Sequence, residues 1–388
     1  MSRTRQVLGV CAALAMVGAL AVVNLSASAA STKTNAKPAT SLGAPGSQWT
    51  KAHPFVAGFI YVGAPSDAGW THAHDVGRQQ VQSYFGGRVK TLFKEDVPEG
   101  PQCDQVITQL VNSGADIIFA TSYGYQDSLI RAAKKYPKVL FEQATGTTLA
   151  KTLSEYYGAG EDGDYLGGMA AGAAALAAHN NKIGFVAPFA IPECLREVDA
   201  FTMGAQAMDP KATVQVVWTN TWFGPATERT AAQSLVDAKV GVLADGQDSP
   251  TTGQVAKAAG LKWVGYDSNQ ESFAKNSWLT GTTYNWGPYY IQEVKAAMNG
   301  TWKSQFWYGS LADGFVQLAP FGPSVTAATR TAILAKEHAI IKGSFNPFAG
   351  PIYGQNGKLV VKKGVTLTVM QKYSITWFVK GVIGNPKG

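Results

Sequence analysis

The stretch Phe55–Val62, FVAGFIYV, has the length and composition of a buried β-strand. A helical pattern at Gly69–Phe85 follows it, and a second apolar run occupies Val89–Phe93. Short apolar runs and amphipathic stretches then keep alternating as far as Met298. Strands that are separated by helices of this length form βαβ units and parallel sheets. The sequence therefore predicts an α/β fold with parallel sheets and helices on both faces.

The alternating pattern is interrupted once and changes character near the end of the chain. It restarts after a helical stretch rich in small residues at about Asp164–Ala178, which indicates two similar lobes. Towards the C-terminus, strand patterns at Phe315–Leu318 and Pro351–Val361 flank a helix at about Thr326–Lys342. We predict a first lobe of residues 55–165 with a C-terminal return of about 315–388, and a second lobe of residues 166–314.

Residues 1–29 have the pattern of a secretory signal, in which a start carrying Arg3 and Arg5 precedes an apolar run and a small-residue cleavage site. The run approaches the roughly 20 residues that span a bilayer, so an uncleaved anchor is the alternative. Lipidation would need a cysteine at the end of the run, whereas Cys11 lies near its start. Residues 30–54 lack any period, and we expect a flexible tether there. These features predict an exported, extracytoplasmic protein.

Composition excludes several classes of protein. The chain has 388 residues, of which 46% are hydrophobic and 15% charged, the balance of a folded globular protein. The net charge of +7 is scattered rather than gathered in one stripe, so we expect no nucleic-acid partner. His72 and His74 point in different directions on a helix, and no cysteine or histidine cluster has metal-ligand spacing. We expect no metal and no cofactor, and we expect Cys103 and Cys194 to be free thiols.

Two patterns that are similar to enzyme or packing motifs favour structural roles. Gly158-x-Gly160-x-x-Gly163 matches the glycine spacing of a dinucleotide site, but it lies mid-chain and lacks an acid at the expected distance. The Gly168-x-x-x-Gly172 spacing indicates close packing of helix backbones. The sequence contains no serine-nucleophile elbow and no phosphate-binding loop. We therefore predict that the protein is not an enzyme.

Aromatic residues occupy segments that follow strands in both halves of the chain. Ligands bind beyond the carboxyl ends of the strands in open parallel sheets. Trp70 and Trp222, each between a strand and a helix, are therefore candidates to stack a planar ligand between the lobes. Asp67 lies in the same loop as Trp70 and could accept hydrogen bonds from the ligand. A helix cap for Asp67 and core packing for either tryptophan are the alternatives.

Further polar candidates follow other strands. Asp248 and Asp267 each lie at a strand end, where they could bind ribose hydroxyls or ring N–H groups. Tyr123 follows another strand and is a candidate for the same cleft. The alternatives are a helix cap for Asp248, a turn residue for Asp267 and packing for Tyr123. The predicted set contains no catalytic residue, and its ligand-binding members are Asp67, Trp70, Tyr123, Trp222, Asp248 and Asp267.

Several short stretches together resemble the basic membrane protein family. They include Phe59–Gly63, Asp67–Thr71, Val217–Phe223, Gly265–Ser268 and Asn285–Tyr290. Members of this family are similar to the purine nucleoside receptor A (PnrA) type of solute-binding protein. The resemblance implies two Rossmann-like lobes in a periplasmic-binding-protein-like (type I) arrangement with a hinge between them. It also implies that Trp70 and Trp222 clasp a purine ring and that Asp267 lies on the ribose side.

The resemblance also predicts function and partners. It implies an exported binding protein that delivers a purine nucleobase or nucleoside to the permease and ATPase subunits of an ABC importer, and we expect a monomer. Relatives often carry a histidine two residues before the acid at Asp248, where this chain has Gly246, so the choice of base and the binding of ribose stay open. The alternatives are a binding protein for another solute such as a sugar, a sensor-receptor lobe, and a secreted nucleoside hydrolase.

Overall fold

The computed structural model describes residues 48–388. The predicted signal at 1–29 and most of the predicted tether at 30–54 lie outside the described residues. Within residues 48–388, no helix is long and apolar enough to cross a membrane.

β-Strands and α-helices alternate along most of the described chain. The strands are β1 (Phe55–Ile60), β2 (Val89–Lys94), β3 (Ile117–Ala120), β4 (Leu140–Ala144), β5 (Leu153–Gly158), β6 (Lys182–Ala187), β7 (Thr213–Trp218), β8 (Val242–Asp245), β9 (Lys262–Gly265), β10 (Trp278–Tyr284), β11 (Phe306–Gly309), β12 (Val316–Leu318), β13 (Ile352–Tyr353), β14 (Leu359–Val361) and β15 (Val382–Ile383). The helices are α1 (Trp70–Phe85), α2 (Pro101–Asn112), α3 (Gln126–Lys135), α4 (Gly160–Ala177), α5 (Pro192–Met208), α6 (Pro225–Asp237), α7 (Thr251–Ala259), α8 (Trp286–Met298), α9 (Ala327–Ile341) and α10 (Val369–Lys372). This order confirms the alternation that the sequence predicts.

The strands form two large sheets, and each sheet with its helices makes one lobe. The first sheet has the order β11-β5-β4-β3-β1-β2, and its strands are all parallel. The second has the order β12-β10-β9-β8-β6-β7-β15, with β12 antiparallel to β10 and the other neighbours parallel. α1, α2, α3 and α8 belong to the first lobe, and α4 to α7 to the second. The α/β class with parallel sheets is confirmed.

The chain crosses between the two lobes at three places in the described residues. It leaves the first sheet after β5, returns through α8 to β11, and leaves again between β11 and β12. The strand pairing therefore differs from the predicted return of residues 315–388 to the first lobe. Residues 306–309 pair with β5, whereas residues 316–318 and 382–383 pair in the second sheet. These strands of two to four residues are too short to show a hydrophobic period that would indicate their partners.

Glycines permit close packing where α4 enters the second lobe. An added Cβ at Gly160 would lie 2.1 Å from the Tyr284 hydroxyl oxygen, and one at Gly163 would lie 2.7 Å from the Thr282 side chain. Both partners belong to β10, so the two glycines seat the start of α4 against that strand. An added Cβ at Gly158, the last residue of β5, would collide with the Phe315 ring, so close packing accounts for all three glycines of Gly158-x-Gly160-x-x-Gly163.

Helices α4 and α5 pack with their backbones in contact. An added Cβ at Gly168 would lie 2.0 Å from the carbonyl oxygen of Phe201, and one at Gly172 would lie 2.2 Å from that of Ala205. Real Cβ atoms do not approach a backbone oxygen so closely, so both positions require glycine in this packing. The close packing that the Gly168-x-x-x-Gly172 spacing predicts is confirmed. It sets the position of α5, whose first turns face the other lobe.

We expect Gly168→Ala to lower the free energy of unfolding by about 1–3 kcal/mol, the usual effect of overpacking. Gly167→Ala is the matched control in the same helix, because its Cβ would meet one methyl carbon of the Val264 side chain at 3.0 Å and no backbone atom. Alanine is also the better helix former by about 1 kcal/mol, so the control should lose little or nothing. Urea unfolding followed by circular dichroism measures both variants. Equal unfolding free energies would contradict the backbone contact.

Candidate functional site

A cleft lies between the two lobes, where the carboxyl ends of their strands face each other. It encloses about 370 Å³ of space free of protein atoms, with the solvent at its mouth included. The first lobe contributes Val62, Trp70, Ser122, Tyr123 and Thr145, and the second contributes Glu193, Cys194, Glu197, Trp222, Gly246, Asp248 and Tyr266. These residues lie in segments that follow strands of both sheets, as expected for ligand sites of parallel sheets.

Trp70 forms part of the wall from the first lobe. It is the first residue of α1, and its side chain is 8% exposed. The indole N–H donates to the carbonyl oxygen of Thr121 at 2.7 Å. The ring packs edge to face against His74 and Trp286, with centroid distances of 4.4 and 5.2 Å. Trp70 therefore combines the two roles that the sequence left open, since it lines the cleft and also packs in the core.

Trp222 lies on the opposite wall, in the loop between β7 and α6, and is half-buried. Its ring centroid is 5.0 Å from that of Phe189, and its carbonyl oxygen accepts from the backbone N–H of Asp248 at 3.1 Å. The indole Nε1 is buried and has no acceptor among the described residues. Phe189 thus packs against the ring, while the indole N–H remains available to a ligand.

Three carboxyl groups of the second lobe line the cleft. Glu193 and Glu197 lie one turn apart on α5, and Asp248 follows β8. The hydroxyls of Tyr157 and Tyr266 donate to Glu197 at 2.9 and 3.0 Å. The Oδ2 atom of Asp248 is buried and has no hydrogen-bond partner within residues 48–388. Burial, reinforced by neighbouring carboxylates, raises the pKa of Asp248 well above its usual range.

Cations are absent from the cleft lining as far as the structure describes the chain, since no lysine, arginine or histidine contributes to it. Arg196, also on α5, is fully buried and donates to Glu161 at 3.3 Å. Lys372 pairs with the same carboxylate. The cations near the cleft are therefore bound to Glu161, while the acids in the cleft have no cationic partner. This arrangement suits a ligand that donates hydrogen bonds and carries no anionic group.

Asp67 lies beside the cleft and binds the start of α1. Its carboxylate accepts hydrogen bonds from the backbone N–H groups of Gly69, Thr71 and His72 at 2.9, 2.8 and 2.9 Å. The first N–H groups of a helix have no partner within the helix, so this carboxylate stabilises the helix start. These contacts correspond to the helix-capping role that the sequence left open as the alternative for Asp67.

The remaining two predicted residues lie at different depths. Tyr123 lines the mouth of the cleft and is 41% exposed. Asp267 is fully buried and does not line the cleft; it has a φ of 64° and no partner for either carboxylate oxygen among the described residues. Burial, and next the neighbouring Asp248, raise the pKa of Asp267 well above its usual range. Of the predicted set, Trp70, Tyr123, Trp222 and Asp248 line the cleft.

Several lining residues were not predicted, and Glu193 and Glu197 are among them. Pro192 begins α5 shortly after β6, and residues four apart share one helix face. This spacing was the available signal, but the direction of that face depends on the packing of α5 against α4.

Cys194 also lines the cleft, whereas Cys103 lies in the core of the first lobe, and both thiols are unbonded as expected. No group of three or more potential ligands could hold a metal within residues 48–388.

Comparison with known proteins extends these observations. An ABC transporter solute-binding protein from Aeropyrum pernix K1 shares the fold, with a TM-score of 0.67 and 16% identity over 83% of this chain and 96% of that one. A purine-binding protein of Brucella abortus is 36% identical over 326 residues, which cover 84% of this chain and 92% of that protein. A putative ABC transporter glucose-binding protein of Haloferax volcanii is 32% identical over 297 residues, or 76% and 75% of the two chains.

The fold is periplasmic-binding-protein-like, with two parallel α/β lobes that meet at their strand ends. Residues 55–346 match the Bmp family, described as PnrA-like ABC transporter substrate-binding proteins. The chain belongs to this family, and the resemblance found in the sequence is confirmed. Residues beyond 346 lie outside that match and include Lys372, which pairs with Glu161.

We expect the two tryptophans of the cleft to differ in their contribution to stability. Trp70→Ala should lower the free energy of unfolding by about 3–5 kcal/mol, because it removes a ring packed in the core. Trp222→Ala should cost less than about 2 kcal/mol, because that ring is half-buried in a loop. Chemical denaturation of the ligand-free proteins measures both. A larger loss for Trp222→Ala than for Trp70→Ala would contradict the assigned packing.

Proposed function

We propose that the protein binds a purine nucleobase or nucleoside in the cleft and passes it to the permease and ATPase subunits of an ABC importer. The observation that carries the proposal is the lining of the cleft, which contains a tryptophan from each lobe and several carboxyl groups. No cation contributes to this lining among the described residues. The 36% identity to a purine-binding protein of Brucella abortus supports the same ligand class. Membership in an ABC substrate-binding family supports the importer as partner.

The lining residues match the chemistry of a purine. A base stacked on an aromatic side chain gains about 1–3 kcal/mol, and Trp70 and Trp222 offer such surfaces from opposite walls. Ring and exocyclic N–H groups of a purine would donate to Asp248 or Glu193. A ring nitrogen would accept from the indole N–H of Trp222. A purine therefore supplies partners for the Oδ2 of Asp248 and the Nε1 of Trp222, which lack them in the protein alone.

The proposed role is binding and delivery without catalysis. Substrate-binding proteins of this family are extracytoplasmic, and a signal at residues 1–29 would direct the export of this chain. We further propose that it acts as a monomer, since residues of a single chain supply both walls of the cleft. Bound ligand would be presented to the permease by movement of the lobes about the three crossings.

We expect adenine, adenosine, guanosine or inosine to stabilise the folded protein. A ligand that binds the folded state alone adds about 2.7 kcal/mol to the free energy of unfolding at a hundredfold excess over its Kd. Urea unfolding with and without each purine measures this increase, and calorimetric titration gives the Kd. Stabilisation by glucose, with none of the four purines having an effect, would overturn the ligand assignment.

Two further measurements separate the proposal from its alternatives. Adenosine monophosphate should bind at least about a hundredfold more weakly than adenosine, because its phosphate would be buried next to carboxyl groups without a cation. Inosine incubated with the protein should stay intact, as followed by liquid chromatography. Equal binding of the nucleotide would contradict the electrostatics assigned to the cleft, and release of free hypoxanthine would reveal a hydrolase.

A further inference from the structure

The turn before α1 contacts the second lobe directly. The carbonyl oxygen of Ala68, in the first lobe, accepts hydrogen bonds from the hydroxyl of Ser268 and from the side-chain amide of Gln270, the latter at 3.1 Å. Both donors belong to the loop that follows β9 in the second lobe. Two side chains of one lobe therefore bind a single backbone carbonyl of the other.

The next residue brings the two backbones together. An added Cβ at Gly69 would lie 2.3 Å from the carbonyl oxygen of Asp248 and 2.9 Å from its Cα atom. Any side chain at position 69 would thus collide with the second lobe in the conformation seen here. Gly69 directly precedes Trp70, and Asp248 is a lining residue of the opposite wall. The contact consequently joins the two walls of the cleft.

The turn is held in shape within the first lobe. Asp67 accepts three backbone hydrogen bonds from the start of α1, one of them from the N–H of Gly69. Ala68 has a φ of 65°, a left-handed conformation that is uncommon for a residue with a side chain. The carbonyl of Ala68 points from this turn at the second lobe, where Ser268 and Gln270 donate to it. Asp67 therefore holds the turn in the conformation in which it contacts the second lobe.

We propose that the Ala68–Gly69 turn is the positioning contact that holds the two lobes closed, with Ser268 and Gln270 as its partners in the second lobe. The contact forms when the lobes close and is lost when they separate, since all of its bonds cross between them. It stabilises the closed state by neutral hydrogen bonds and by the absence of a side chain at position 69. The inference rests on the chain's membership in a substrate-binding family and does not require the ligand to be a purine.

The hydrogen bonds are tested with Ser268→Ala. Removal of one bond that exists in the closed state alone should raise the Kd for adenosine about threefold to tenfold, the range of a single hydrogen bond. Ser272→Ala is the matched control, because Ser272 is exposed and lies one turn further along the same loop. Calorimetric titration measures both Kd values. A Kd for Ser268→Ala within twofold of the control would overturn the role of this bond.

The steric contact is tested with Gly69→Ala. Small-angle X-ray scattering should show that this variant has a larger radius of gyration than wild type and fails to reach the closed dimensions when adenosine is added. Gly87→Ala is the control, two residues beyond the far end of α1, where an added Cβ meets the flexible Lys51 side chain at 3.1 Å. Thermal unfolding of the ligand-free proteins checks that both variants are folded.

The two proposals fail in different ways. If adenosine does not stabilise the wild-type protein, the purine assignment fails. The contact of the Ala68–Gly69 turn with the second lobe is then tested by the radii of gyration of the ligand-free proteins. In that case Gly69→Ala should still be more expanded than Gly87→Ala. Equal radii of gyration for these two variants, with or without adenosine, would overturn the positioning contact.

Discussion

The cleft depends on the aromatic packing that joins the two lobes behind it, and Trp286 is the centre of that packing. This residue begins α8, directly after the chain leaves β10 for the first lobe, and its side chain is 1% exposed. Its ring stacks on His74 at 4.0 Å and contacts Phe315 at 4.8 Å and Trp70 at 5.2 Å. Phe315 belongs to the last crossing and Trp70 to the wall of the cleft. One buried ring therefore connects the crossings between the lobes with the surface that a ligand would touch. Burial keeps the pKa of His74 well below its usual value, so His74 stacks there as a neutral ring.

Buried charge is distributed unevenly around this centre. Glu161 is compensated, since Arg196 and Lys372 both pair with it and so tie α4, α5 and the C-terminal segment together. Asp248 and Asp267, in contrast, are buried without a cationic partner, and burial raises the pKa of both carboxyl groups. Uncompensated acids lower the stability of a folded protein, and they concentrate where a ligand can supply the missing partner. The paired charges connect elements of the framework, whereas the unpaired carboxyl group of Asp248 lies in the lining of the cleft.

The sequence predicted those residues of the site that directly follow a strand. It did not predict contacts between segments that lie far apart in the chain. Trp70, Trp222 and Asp248 could be predicted because each directly follows a strand, and the strands of a parallel sheet end on the same edge. The role of Asp67 was ambiguous, since a carboxylate in that position serves either a ligand or the neighbouring backbone N–H groups. The return of residues 306–309 to the first sheet was not predictable, because its partner strand β5 is far away in the sequence. Contacts between the lobes, such as that of Gly69 with Asp248, likewise depend on the relative placement of two units that no local pattern encodes.

Purine binding in the interlobe cleft is tested most directly by identifying what the protein carries from the cell. The chain would be purified without added ligand and denatured, and the released small molecules would be identified and quantified by mass spectrometry against the amount of protein. We expect a purine base or an unphosphorylated purine nucleoside, approaching one molecule for each chain and absent from a Trp222→Ala preparation. A sugar or another compound without a purine ring, present in that amount and lost in the same variant, would contradict the assignment.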